Sequence, residues 1–309
     1  MGDTNSASRD VQLRDLEIFT AVTRTGSFRG AAARLYTSQP AVTRSIARLE
    51  RGLGVTLFER SSRGVQPTPA GEALTAKARR VINLLAEIRQ DPLEQATTTI
   101  RLGAAATAAG SFLAPFLAQW IPSHPHTRIH VVEDGAARLA RRLHEGEVDL
   151  AIVASPISPW LESRSITRVG VRAHFPAGHP LDTSVDGITV HELAGLPVLL
   201  NLPSFISAQL IAEEFDRAGV RPNIVYQSSV GQTLGALAEA GMGVALFSES
   251  VDLRSSTLHH RPLVDAHGQQ LEFHLHIAWR RDDAPQHIRE FGMALSTFSS
   301  AHGAPGARL

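Results

Sequence analysis

The sequence predicts a multidomain protein: an all-α, winged helix-turn-helix N-terminal domain, a long linker helix, and an α/β region of two Rossmann-like lobes. Three observations predict it. Two short helical segments meet at a tight turn between residues 27 and 51, and a small hairpin follows them. Leu74, Ala78, Val81, Leu85 and Ile88 then recur at steps of four and three. Beyond residue 98, strand-type and helix-type patterns alternate, as in parallel sheets covered by helices.

Composition narrows the function classes. The chain has 309 residues, 43% hydrophobic and 19% charged, which suits two or three globular domains. It has no cysteine, which excludes disulfides, thiol catalysis and cysteine-ligated metal. No apolar run approaches the ~18 residues of a membrane span, and the polar stretch Met1 to Asp15 lacks the apolar core of a secretion signal. A cytoplasmic protein without a membrane partner is expected. Net charge is zero but divided: residues 1–90 hold 14 Arg/Lys against 8 Asp/Glu, and the remainder holds 16 against 22. A basic end on an acidic body is the asymmetry expected where one end meets phosphate.

The elements follow in order. Leu13 to Thr25 carries Leu16, Phe19 and Val22 at threefold spacing, a core-facing helical stripe. Ser27 caps a second helix, Phe28 to Leu35. Ser38 caps a third, from Gln39 to about Arg51, with Pro40 in its first turn. Residues 56–60 and 65–67 form a wing hairpin, which completes a DNA-binding domain over 11–67. Thr68-Pro69 opens the linker helix, 68–92, whose seam of Leu74, Ala78, Val81, Leu85 and Ile88 implies a partner helix and hence dimerisation. Strands near 100–103, 128–133 and 148–153 alternate with helices. A second such set has strands near 198–202, 224–227 and 244–247, and a final strand and helix span 272–298. The ligand-binding region therefore covers 98–300, with lobe I at 98–160 and 272–300 and lobe II at 161–271. Ligands of such sheets bind beyond the carboxyl ends of the strands.

Function is read most closely on the third helix. Val42, Ile46 and Leu49 face inward, so a turn of about 100° per residue sends Thr43, Arg44 and Arg48 outward, with Gln39 and Pro40 near the start. The start of the second helix of such a motif meets base edges. Gln39 suits adenine, Arg44 suits guanine, and the Thr43 methyl suits a thymine methyl. Ser38 and the helix N-terminus suit a phosphate, and Arg63 stands at the wing tip. The partner expected is double-stranded DNA with a two-fold symmetric site.

Leu16-Glu17-Ile18-Phe19, Gly26-Ser27-Phe28, Ala31-Ala32-Ala33-Arg34-Leu35, Ser38-Gln39-Pro40-Ala41-Val42-Thr43, Leu57-Phe58-Glu59-Arg60 and Thr68-Pro69-Ala70-Gly71 closely resemble the LysR-type transcriptional regulators. The resemblance is dense over residues 11–90. It implies an effector region of the type-2 periplasmic-binding-protein fold, a small co-inducer between the lobes, and a homotetramer built from dimers. It also implies effector contacts at Ala105, Ala106 and Thr107, at Pro203, Ser204 and Phe205, and at Ser228 and Ser229. The family often places a hydroxyl near Ala105, where this chain has alanine.

The fourteen histidines all lie after residue 123. His259-His260 and His274/His276 invite a metal reading but lack a third ligand, so no metal or cofactor is expected. No G-x-G-x-x-G, P-loop or G-x-S-x-G motif appears, and no enzyme is expected. The competing function is a small-molecule binding protein of transport type, which residues 99–300 alone would allow.

Overall fold

The computed structural model describes residues 11–61, 64–90, 98–183, 186–253, 257–282 and 284–302. Two compact units divide the chain, one centred on the N-terminal helices and the other on the α/β region.

In the first unit, α1 (Leu13–Thr25), α2 (Phe28–Arg34) and α3 (Gln39–Leu53) enclose a core of Phe19, Val22, Val42, Ile46 and Leu49. Burying each such side chain contributes about 1.5–3 kcal/mol. The hairpin β1 (Phe58–Ser61) and β2 (Gly64–Pro67) is antiparallel, and Val65 N–H donates to the Gly26 carbonyl at 3.0 Å, tying the wing to the turn after α1. α4 (Pro69–Gln90) starts where Thr68 accepts from Gly71 N–H and donates to the Thr56 carbonyl at 2.7 Å. A Cβ at Gly71 would lie 2.2 Å from the Leu57 carbonyl oxygen, so only glycine lets α4 approach this closely.

One contact joins α1 to α3 through its polar groups. The Asp15 side chain is fully buried and accepts from the Ser45 hydroxyl and from the Arg48 guanidinium, with Nε at 2.8 Å. Burial alone would raise its pKa, but the hydrogen bonds from Arg48 and Ser45 and the Arg48 charge outweigh this and hold it below the usual carboxylate range.

The seam expected on α4 is divided. Ala78 is 1% exposed within the core of its own unit, and Leu74 packs half-buried against that core. These two positions are spent on their own chain rather than on a partner helix, because the stripe facing α1 and the outer seam share one periodicity. Val81 remains 41% exposed and Leu85 is half-buried. The Ile88 side chain lies outside the described residues.

The second unit is a nine-stranded sheet with the path β4-β3-β5-β11-β6-β9-β7-β8, and β10 also pairs with β6. β3 (Thr98–Ala104) pairs in parallel with β4 (Thr127–Glu133) and β5 (Leu150–Ala154). In the second half, β7 (Pro197–Asn201) pairs in parallel with β8 (Asn223–Ser228) and β9 (Val244–Ser248). The two halves meet on β6 (Leu161–Pro176), which runs antiparallel to β11 (Glu272–Arg280) as far as Gly170. From Val171 onward β6 pairs with β9 and with β10 (Leu258–Pro262). Residues 161–170 therefore belong to the sheet of lobe I, not lobe II: the crossing falls at Gly170/Val171. Helical structure follows β3 almost at once. It opens with α5 (Ala106–Ala108), passes through a π-turn at Ala109–Leu113 and continues as α6 (Ala114–Trp120). α7 (Ala136–His144) follows β4, α8 (Ile206–Arg217) follows β7, α9 (Gly231–Glu239) follows β8, and α10 (Gln286–His302) follows β11.

His174 on β6 is buried, stacks on Phe247 with centroids 4.1 Å apart, and finds no hydrogen-bond partner for either ring nitrogen among the described residues. Burial, reinforced by the nearby His260 and Arg172, pushes its pKa down to about 3.

Two outcomes are expected. Asp15→Ala leaves Ser45 and Arg48 without their acceptor and costs about 1–3 kcal/mol. Amide exchange should accelerate in α1 and α3 while β3 to β11 keep their protection; unchanged exchange in α3 refutes the brace. For His174, the folded pKa lies below the unfolded value of 6.5. Its contribution is therefore complete above that pH and is lost as pH falls towards 3. His174→Phe should flatten the stability-versus-pH curve in that window, and an unchanged slope contradicts the assignment.

Candidate nucleic-acid interface and ligand cleft

The start of α3 is shaped by its cap. Ser38 accepts from Ala41 N–H at 3.3 Å, and Pro40 occupies the first turn, where its missing N–H leaves no bond unmade. The capping hydroxyl is thus engaged, and what Ser38 offers outward is the helix N-terminus. Gln39, Pro40, Thr43, Arg44 and Arg48 are all exposed, as the helical period requires. Thr43 donates to the Gln39 carbonyl at 3.1 Å, which fixes its rotamer. The Arg44 guanidinium has no protein partner among the described residues and remains a free cation on this face. Arg48 differs from its expected state, since Asp15 holds its guanidinium against α1. Arg63 lies outside the described residues.

Two features here carry no strong sequence signal. Asp15 and Ser45 couple α1 to α3 across 30 positions of sequence. Tyr36, in the turn between α2 and α3, is 98% exposed and holds φ +51°, a left-handed conformation that non-glycine side chains rarely adopt. An aromatic hydroxyl presented this way flanks the N-terminus of α3.

In the second unit, a small open cleft lies at the carboxyl ends of β3 and β5. Ala105 and Thr107 line it from the turn after β3, and Phe205 from the N-cap of α8. The other expected contacts do not line it. Ala106 and Pro203 are exposed, and the Pro203 carbonyl accepts from Gln209. Ser204 lies against Gly135, where a Cβ would come within 3.4 Å of it. Ser228 caps its own turn by accepting from Val230 N–H at 3.0 Å, and Ser229 is exposed. Further lining comes from Ile152 and Ala154 on β5, Ser207 on α8, Ser248 and Ser250 around the end of β9, and Phe273 and Leu275 on β11, among others. The carboxyl end of β5 was discoverable by the strand-end rule. The serines after β9 have no local signature.

One histidine of each pair has a close polar partner. His259 contacts Asp182 at 2.8 Å, and His276 contacts the Ser155 hydroxyl at 2.9 Å. Among the described residues, no group of three or more metal-ligating side chains converges, and no helix is long and apolar enough to cross a membrane.

Both regions have known relatives. Residues 13–72 match the family described as "Bacterial regulatory helix-turn-helix protein, lysR family", and residues 93–297 match "LysR substrate binding domain". The chain is 32% identical over 244 residues to the HTH-type transcriptional regulator BbuR of Bordetella bronchiseptica, covering 76% of this chain and 73% of that one. It is 30% identical over 299 residues to BudR of Raoultella terrigena, covering 91% and 99%. A full-length OxyR variant from Pseudomonas aeruginosa shares the fold with a TM-score of 0.64 at 23% identity, over 97% of both chains. The helix-turn-helix match sets aside a transport-type binding protein. The chain belongs to the LysR family of DNA-binding transcriptional regulators with an effector-binding domain.

Proposed function

We propose that this regulator reads operator bases with Gln39, Thr43 and Arg44 on α3, and that a small molecule in the cleft of the second unit modulates that binding. The free Arg44 cation carries the reading. A guanidinium without a protein partner, on the exposed side of a capped helix, suits a bidentate contact to guanine in the major groove. Pro40 shapes the approach of the helix start, and the N–H groups beyond Ser38 suit a backbone phosphate. Tyr36 adds a second phosphate donor beside them. Arg48 fixes the pitch of α3 through Asp15 and reaches outward only in part.

Self-association is assigned to Val81, which is exposed, and Leu85, which is half-buried, on the described part of α4. A helix of 22 residues, about 33 Å long, has room for a seam with a second copy. A homodimer with a two-fold symmetric operator follows from that assignment, and likeness to the family adds a tetramer of two dimers and a cytoplasmic location to the proposal. The protein acts through binding, without catalysis, metal or cofactor. Effector contacts are assigned to Ala105, Thr107 and Phe205, joined by Ser207, Ser248 and Ser250.

Arg44→Ala should cost about 1–3 kcal/mol of specific binding and relax preference at one base position. Equal losses on operator and random DNA reject base reading. Replacing Val81 and Leu85 together with glutamate should lower the assembly mass in sedimentation, and an unchanged mass refutes the seam.

A further inference from the structure

The lining of the cleft restricts the chemistry of its occupant. Among the described residues that form it there is no Asp, Glu, Lys, Arg or His. The walls are Ile152, Ala154, Phe205, Phe273 and Leu275 with the alanines after β3. A charged group moved from water into such a site loses its hydration without gaining a side-chain counter-ion, so backbone groups alone would have to offset the cost.

The polar groups present are hydroxyls with capacity to spare. The Ser248 and Ser250 oxygens lie 2.8 Å apart, so one hydroxyl donates to the other and one proton remains available. The Thr107 hydroxyl has no protein partner among the described residues. Ser207 reaches only the Asn201 amide oxygen, at a long 3.4 Å. Such isolated hydroxyls in apolar walls are the arrangement of a site that orients a small ligand by one or two hydrogen bonds. Ser250 also ties the halves of the unit together, because its carbonyl accepts from the Ser111 hydroxyl at 2.6 Å. A ligand group bonded to the Ser248–Ser250 pair therefore acts on a residue that already joins the two lobes.

We propose that the cleft takes a small, uncharged, largely apolar molecule bearing one or two hydroxyl or carbonyl groups, anchored by Thr107 and the Ser248–Ser250 pair. This rests on the assignment of the cleft as the effector site.

The test uses the full-length protein and the uncharged dye N-phenyl-1-naphthylamine, with benzyl alcohol and phthalate as competitors. Saturable dye fluorescence is expected, displaced by benzyl alcohol at about a tenth of the phthalate concentration or less. Ala105→Trp, which fills the cleft, should abolish it. The near-isosteric double variant Ser248→Ala/Ser250→Ala should weaken benzyl alcohol by up to about tenfold, the worth of one hydrogen bond. It serves as the arbiter if Ala105→Trp does not fold, and unchanged benzyl alcohol competition there overturns the hydroxyl anchor. Absence of saturable dye binding overturns the proposal. Phthalate displacing as well as benzyl alcohol overturns the uncharged class but leaves the cleft a ligand site. Dye binding that persists in folded Ala105→Trp overturns the assignment of the cleft itself.

Discussion

The orientation of α3, the second helix of the helix-turn-helix, depends on one buried carboxylate. Asp15 sits on α1 with no exposed surface, and both its oxygens are occupied by groups from α3. Apolar packing of Val42, Ile46 and Leu49 fixes which face of α3 turns inward but tolerates small rotations and slides. A charge-assisted bond has a defined length and direction, and leaving this acceptor unmet in the interior costs more than the bond gains. The brace therefore sets the angle at which Gln39, Thr43 and Arg44 emerge. It also explains why one arginine on the outer face is held and another is free. Arg48 completes the interior, and Arg44 keeps an exposed guanidinium without a protein partner among the described residues.

The second unit has an equivalent constraint in β6. One strand hydrogen-bonds to β11 over its first part and to β9 and β10 over its second. Both lobes are therefore registered to the same sixteen-residue strand. The parallel strands on either side expose their carboxyl ends around the cleft, where strand-to-helix turns gather Ala105, Thr107 and Phe205. Under the proposed effector role of the cleft, a ligand bridging these turns would touch both lobes that β6 connects, which suits a signal carried by small relative motion of packed halves.

Much of this was legible in the sequence because its signals are local. Caps at Ser27 and Ser38, the proline after Thr68 and the inward stripe of α3 each depend on residues within one or two turns. The Asp15–Ser45–Arg48 brace was not legible, since its partners are 30 and 33 positions apart and a lone aspartate in a first turn reads equally well as a dipole-stabilising surface residue. β6 was missed because its burial alternates irregularly up to residue 168 and becomes nearly continuous from Val169, so no single period describes it. In sequence the α4 stripe forms one continuous seam, whereas in the fold Leu74 and Ala78 face their own core and Val81 does not. Part of the cleft lining has no sequence motif, as Ser248 at the end of β9 and Ser250 just beyond it show.

The central claim is that α3 enters the major groove with its exposed face against bases. Protection of guanine N7 from methylation, on an operator bound by the full-length protein, tests this directly, because N7 is exposed only in the major groove. The account predicts protected guanines in two symmetric half-sites about one helical turn, or a multiple of it, apart. Guanine N7 reactivity unchanged throughout a site that the protein demonstrably occupies would contradict it.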